Sequence, residues 1–459
     1  MADCAICCGV TGTWGLLPVV SPAPVIAQVT NTSQFIVHVL VSERFRLAEI
    51  TIHTVENRGA MVEEVTTPDF DTYIAEQSID AVEICPGWVE LIWSDGQISR
   101  FHHIWLRDNC PCADCVHQGT KEQMFELVAV PADIHPLRAG VTAAGSLAVN
   151  WSSGDHTSEF EAAWLRANCY RDQARRDRVH QQITWDANTW SVPPTFDGLA
   201  VLADDAALYE WLIALRTYGA TRLRNVPCTD IAIGDIAGRI GIVRETNFGV
   251  LWDVWSEPNP VTNANTALPL PPHVDLPTRE YQPGLQFLHC LENEAIGGDS
   301  ILVDGFRIAE LMRDEHPEHY LTLTTVPWSW ANRATTTDYR WRSPLIVTNG
   351  DGVVTEVRVG NWLRAPLDVP FDDVERVYAA YRVWFEMSYR PELQLRFRFQ
   401  PGDLIAFDNR RALHGRSEFT DVGGRRHLRG CYTERDELHS RLRMLERDMR
   451  RRAVAAAGI

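Results

Sequence analysis

The chain contains no unbroken apolar run of about 18 residues, and Asp3 stands where a secretory leader would place basic residues. The sequence therefore predicts neither a membrane span nor a signal peptide. It also lacks a long run of Lys and Arg: Arg441, Arg443, Arg447 and Arg450 are interleaved with acids, and the formal net charge is -18. Such a balance repels a phosphate backbone, so nucleic acid is not an expected partner. A disulfide framework is missing as well. The eleven cysteines are odd in number, with Cys110, Cys112 and Cys115 clustered and Cys228, Cys290 and Cys431 isolated among apolar residues. Reduced thiols plus one metal site suit that pattern better than bridges, and a cytoplasmic location is the expected default.

What is present is an ordinary globular composition, 45% apolar and 23% charged, over 459 residues. That length predicts two or three domains with at least one sizeable core. Residues 1–60 hold Cys- and Pro-rich pieces and a Val/Ile run from Phe35 to Val41, with no period tying them to the rest. Met61 opens more regular sequence and is a candidate true start, which leaves 1–60 as an extension of no assigned role. The expected division is 1–60, then a small β-rich domain over 61–185, then a catalytic domain over 190–450.

In the second of these, Val89, Leu91 and Trp93 share one face of a strand before Ser94-Asp95-Gly96. Leu147, Val149 and Trp151 do the same before Ser152-Ser153-Gly154. The likeness continues through Phe101 and Trp105-Leu-Arg-Asp-Asn-Cys110 against Phe160 and Trp164-Leu-Arg-Ala-Asn-Cys169, an internal duplication. Trp185 to Asp197 is Pro- and Asp-rich and reads as a linker. Beyond it, helices are predicted over Ala206–Tyr218 and around Val374, Val377, Tyr378, Tyr381 and Phe385. Short strands are predicted at Leu285–Cys290, Ser300–Val303, Leu393–Phe399, Asp403–Phe407 and His427–Tyr432. This mixture, mainly β with a few flanking helices, predicts an α+β chain built on a double-sheet jelly roll.

Three groups of residues carry chemistry. His273-Val274-Asp275 puts a His and a carboxylate on one face of a strand, and His414, after a later strand, is a plausible third donor for a facial triad with open positions. Arg426, Leu428, Gly430 and Tyr432 share a strand face, so an inward guanidinium awaiting a carboxylate and an inward Tyr would line one cavity, with Arg425 and Arg429 outward as surface charges. Cys110, Cys112 and Cys115 have a spacing that tetrahedral zinc accepts, and His117, Cys169 and His156 compete as the fourth ligand.

The ordered motifs Pro272-His273-Val274-Asp275-Leu276, Gly284 to Cys290, Gly297-Gly298-Asp299-Ser300, Val303-Asp304-Gly305-Phe306, Leu413-His414-Gly415-Arg416 and Ser440 to Leu445 resemble the γ-butyrobetaine and trimethyllysine hydroxylases, TauD/TfdA-like enzymes with an amino-terminal zinc module. The likeness runs from about residue 80 to residue 450. It implies a double-stranded β-helix in which His273, Asp275 and His414 bind Fe(II), Arg426 holds the distal carboxylate of the co-substrate 2-oxoglutarate and Ser300 adds a hydroxyl. The implied reaction couples decarboxylation of 2-oxoglutarate to hydroxylation of a small molecule by molecular oxygen, with ascorbate as an aid to activity and a homodimer as the assembly. The same resemblance selects Cys110, Cys112, Cys115 and His156 for a structural zinc. It places Trp252 and Tyr432 in an aromatic cage for a trimethylammonium group, Phe248 and Asn265 where the family has Tyr, and Asn361 near a substrate carboxylate. Core packing is the commoner fate of each aromatic. The missing Tyr leaves two expectations: γ-butyrobetaine in a three-sided cage, or another amine or carboxylate, trimethyllysine among them. A zinc-stabilised binding module without chemistry is the remaining alternative, and the complete His273, Asp275, His414 and Arg426 argue against it.

Overall fold

The computed structural model describes residues 27–28, 35–37, 50–52, 76–255, 263–420, 422 and 424–457. Compact units comprise residues 1–67 and 68–459. In the first, strands Ala27–Gln28, Phe35–Val37 and Ile50–Ile52 pair antiparallel. The rest of the Phe35–Val41 run and the candidate start at Met61 lie outside the described residues.

In the second unit, residues 79–174 build their own hydrophobic core, and the duplication read from the sequence appears as two three-stranded sheets. Strands Trp88–Trp93 and Leu147–Trp151 alternate as expected, burying Val89, Leu91, Trp93 and Leu147, Val149, Trp151. The two halves repeat the same polar contacts. Trp93 Nε1 donates to Ser99 Oγ and Trp151 Nε1 to Ser158 Oγ, each at 2.9 Å. Asn109 and Asn168 each cap the preceding short helix by donating to the carbonyls of Trp105 and Trp164. Gly96 and Gly154 turn the hairpins at φ +76° and +77°, a region where a Cβ is strained.

The jelly roll consists of a six-stranded sheet and a four-stranded sheet. The larger runs in the order Thr195–Asp197, Ala220–Arg224, Leu404–Asp408, Leu285–Asn293, Arg426–Thr433 and Trp252–Val254; the smaller runs Leu270–His273, Ala412–Arg416, Ser300–Asp304 and Leu395–Phe397. Cys290, Leu302, Phe397, Ile405, Phe407 and Leu428 from the two sheets meet in one core. Helix Asp205–Tyr218 covers the larger sheet with Leu208, Trp211, Leu212 and Leu215. Asp204 caps its start by accepting from the Ala207 amide, and Gly219, at φ +70°, ends it.

Several expectations need correction. The Trp185–Asp197 segment is no free linker: Trp185 is buried, its amide donates to Asp304 and its indole to the Tyr218 carbonyl, and Thr195–Asp197 joins the sheet edge. Arg411, wholly buried, anchors this joint through Asp304 and the carbonyls of Ile183 and Thr217. Strand Leu395–Phe397 is shorter than expected because Leu393 and Gln394 spend their amides on a tight turn from Arg390 and Pro391. On helix Val374–Ser388, Tyr378 faces solvent while Ala380 and Trp384 fill the core side. Arg429 is not a surface charge. Its half-buried side chain pairs with Asp230 and Asp253, whereas Arg425 is exposed as expected.

Candidate functional site

His273 and His414 are cross-strand partners in the smaller sheet. His414 lies within strand Ala412–Arg416, not after it, and Asp275 lies two residues past the end of Leu270–His273, not on it. Two backbone devices hold Asp275 there. The Val274 amide donates to the Val359 carbonyl, and the fully buried Asn409 clamps Asp275, accepting from its amide at 2.7 Å and donating to its carbonyl at 3.0 Å. Leu276 then takes a left-handed φ of +55°, a strained conformation for a branched side chain that the surrounding contacts must hold.

The donor atoms of His273, Asp275 and His414 lie within 4.8 Å of one another. His273 Nε2 is 3.3 Å and His414 Nε2 3.7 Å from Asp275 Oδ1. With Nδ1 of His273 2.9 Å from the Pro271 carbonyl, a proton there leaves Nε2 as a lone-pair donor toward the same point. Asp275 Oδ2 accepts from Tyr432 Oη and Gln286 Nε2, both at 2.8 Å, which turns Oδ1 toward the imidazoles. Burial raises the Asp275 carboxyl, but His414, His273 and the Tyr432 hydroxyl outweigh it and hold the group below the usual carboxylate range. Burial, with His273 adding, pushes His414 down to about 3, so its imidazole is neutral. Burial and Asp275 raise Tyr432 well above an ordinary phenol and keep it a donor. Two imidazoles and one ionised carboxylate on one side of a point suit a divalent iron.

The cluster forms one wall of a cavity of about 620 Å³, counting its open mouth, whose other described lining includes Trp252, Leu288, Ile301, Phe407, Ser300 and Arg426. Arg426 is 4% exposed and has no carboxylate partner among the described residues; its guanidinium stacks 5.6 Å from the Phe419 ring. Burial lowers it to about 10, which leaves it charged near neutrality. A buried cation facing an apolar cavity calls for an anionic ligand.

The expected substrate residues are scattered. Trp252 lines the cavity, and the Tyr432 ring packs against it at a tilt of 36°, ring centroids 5.2 Å apart, while the Tyr432 hydroxyl serves Asp275. Phe248 is exposed in a turn, Asn361 is exposed at the start of a short 3-10 helix, and Asn265 is buried in the segment whose neighbour Ala264 reaches the cavity. Trp362, which the sequence reading passed over, sits 4.5 Å from the His273 ring. Arg416 was passed over as a site residue too; two residues from His414 and 4% exposed, it donates to the carbonyls of Ala264, Thr266 and Leu268 and ties that segment to the His414 strand. The Leu413-His414-Gly415-Arg416 motif, with polar residues at i and i+2, was the signal for Arg416.

A second donor cluster joins Cys110, Cys112, Cys115 and His156. His156 Nε2 stands 3.2, 3.8 and 3.7 Å from the three sulfurs, spacings that four ligands around one zinc require. His117 faces elsewhere, accepting from the Thr120 amide, and Cys169 accepts from Ser99. Burial pushes the Cys110 thiol up to about 12. The buried Arg107 guanidinium donates to Cys115 Sγ at 3.3 Å, a charge that suits a thiolate-rich set.

Residues 181–432 match the family profile described as taurine catabolism dioxygenase TauD, TfdA family, and residues 86–166 match the γ-butyrobetaine hydroxylase-like amino-terminal family. A γ-butyrobetaine dioxygenase of Pseudomonas sp. (strain AK-1) is 44% identical over 362 residues, covering 78% of this chain and 94% of the relative. The human γ-butyrobetaine dioxygenase is 30% identical with the same coverage of both chains. A trimethyllysine dioxygenase of Meyerozyma guilliermondii is 28% identical over 78% of this chain and 93% of its own. No helix among the described residues is long and apolar enough to cross a membrane. The chain belongs to the TauD/TfdA family of Fe(II)- and 2-oxoglutarate-dependent dioxygenases.

Proposed function

We propose that the chain hydroxylates γ-butyrobetaine to L-carnitine. The observation that carries the reading is the apolar cavity in which a buried Arg426, with no carboxylate partner among the described residues, and the His273–Asp275–His414 cluster line the same space, with Trp252 on the wall. Nε2 of both histidines and Oδ1 of Asp275 would hold Fe(II), and Arg426, with the Ser300 hydroxyl, would take the distal carboxylate of 2-oxoglutarate. Iron held there, with 2-oxoglutarate and molecular oxygen as co-substrates, would supply an oxidative decarboxylation to succinate and CO₂ in which one oxygen atom enters succinate and the other a substrate C–H bond. The chain's own contributions are orientation and exclusion. Tyr432 and Gln286 fix the Asp275 carboxylate, Asn409 fixes its backbone, and Leu288, Ile301 and Phe407 keep the cavity apolar. The face of Trp252 attracts a quaternary ammonium through its ring quadrupole. Cys110, Cys112, Cys115 and His156 would hold a structural zinc, because four protein ligands leave no position for chemistry.

Succinate release from 2-oxoglutarate, measured across γ-butyrobetaine, trimethyllysine and a set of primary amines, tests this. Release with carnitine formed from γ-butyrobetaine is expected. Release driven only by another amine would transfer the assignment to that compound.

A further inference from the structure

Trp252 and Gly430 are direct cross-strand partners, and Gly430 is also paired on its other side with Leu288, so its strand is held within the larger sheet. Gly430 lies between Leu428 and Tyr432 on the inward face. Its φ is outside the left-handed region, so backbone conformation gives no reason for glycine. Space does. A Cβ at this position would stand 2.2, 2.4 and 2.5 Å from Cη2, Cζ3 and Cζ2 of Trp252, far inside van der Waals contact. The benzo edge of the indole therefore rests on bare backbone.

We propose that Gly430 is a specificity-determining positioning residue: by lacking a side chain it seats the Trp252 indole as the cavity wall that receives a quaternary ammonium substrate. The proposal rests on the reading above for the identity of that cation, and on the contact itself for the seat. A side chain at 430 meets the far end of a rotatable indole on one side and a strand paired on both edges on the other. The indole is the part that yields, and the wall moves with it. Arg426 and the His273–Asp275–His414 cluster make no part of this contact, so co-substrate and metal binding should be insensitive to it.

The test is a cycle of Gly430→Ala, Trp252→Ala and the double variant in the full chain, reading KM for γ-butyrobetaine and for 2-oxoglutarate separately. Gly430→Ala should raise KM for γ-butyrobetaine by roughly threefold to thirtyfold, the worth of one aromatic face, and leave KM for 2-oxoglutarate unchanged. With Trp252 already truncated, Gly430→Ala should add nothing, because the atoms it meets are gone. An equal effect in both backgrounds, or an equal rise in both KM values, overturns the proposal. If Gly430→Ala alone does not fold, the double variant should, and its failure to fold counts against the seat. A native chain inert toward γ-butyrobetaine sinks the assigned substrate only; crystals of Gly430→Ala then decide the seat, and an indole left in place overturns it.

Discussion

The two donor clusters of this chain differ in number, chemistry and surroundings. Cys110, Cys112, Cys115 and His156 converge as four donors with Arg107 against one sulfur; His273, Asp275 and His414 converge as three, on a cavity shared with the buried Arg426. Four protein ligands close a tetrahedron, whereas three leave room for small molecules. Their readiness differs too. Burial pushes the Cys110 thiol up, while the Asp275 carboxyl is held below the usual carboxylate range and is already clamped by Tyr432, Gln286 and Asn409. A ligand set alone does not separate a structural metal from a working one; donor count and what faces the remaining side do.

The sharpest way to break that contrast is to remove one donor from each cluster. His414→Ala should abolish substrate-dependent succinate formation while the zinc content of the purified protein stays near one per chain. Full turnover in that variant would detach the barrel cluster from the chemistry. Cys112→Ser should lose the tightly held zinc and lower the thermal midpoint, because binding energy at a thiolate site is folding energy. Undiminished zinc by metal analysis would contradict the four-ligand set, and His156→Ala beside His117→Ala then identifies the fourth donor.

A smaller effect is expected where the open cluster meets its co-substrate. Arg426→Ala should raise KM for 2-oxoglutarate by roughly thirtyfold to a few thousandfold, the worth of a buried charge-assisted pair at about 2–5 kcal/mol. Turnover should return at high 2-oxoglutarate, and an unchanged KM would remove Arg426 from the carboxylate site. Smaller than the Arg426 effect is that of Tyr432→Phe, which keeps the ring beside Trp252 and deletes only the hydroxyl on Asp275. Loss of such an outer partner costs about tenfold to a hundredfold in iron affinity or turnover. A variant that binds iron as the native protein does but shows a raised KM for the amine would reassign Tyr432 to the cage alone.

Local patterns made much of this legible. Period-two alternation placed Val89, Leu91 and Trp93 inward, and helical spacing placed Leu208, Leu212 and Leu215. The motif around His273 and Asp275 and the one around His414 named the three residues whose donor atoms converge, although the strand ends came out differently at both. What stayed hidden depends on contacts between distant segments. Nothing near Asn409 announces that its amide will clamp a residue 134 positions away, and nothing near Tyr432 says its hydroxyl belongs to Asp275 more than to a substrate. The Trp185–Asp197 stretch read as a linker because of Pro193, Pro194, Asp186 and Asp197. One buried arginine, Arg411, overrides that composition.

The internal duplication gives the four-donor cluster a pseudo-equivalent spot. There Cys169 corresponds to Cys110, and the equivalents of Cys112 and Cys115 are Arg171 and Ala174. Gln97 takes the place of His156, since its carbonyl accepts from the Trp93 amide as the His156 carbonyl accepts from that of Trp151. Arg171 donates to Gln97 across that spot, and Cys169 is held by Ser99. Each spot is thus built from both halves of the duplication: Cys110, Cys112 and Cys115 meet His156 of the second half, whereas Cys169 and Arg171 of the second half meet Gln97 of the first, so the module holds at one spot a four-donor cluster and at the equivalent spot a guanidinium–amide contact.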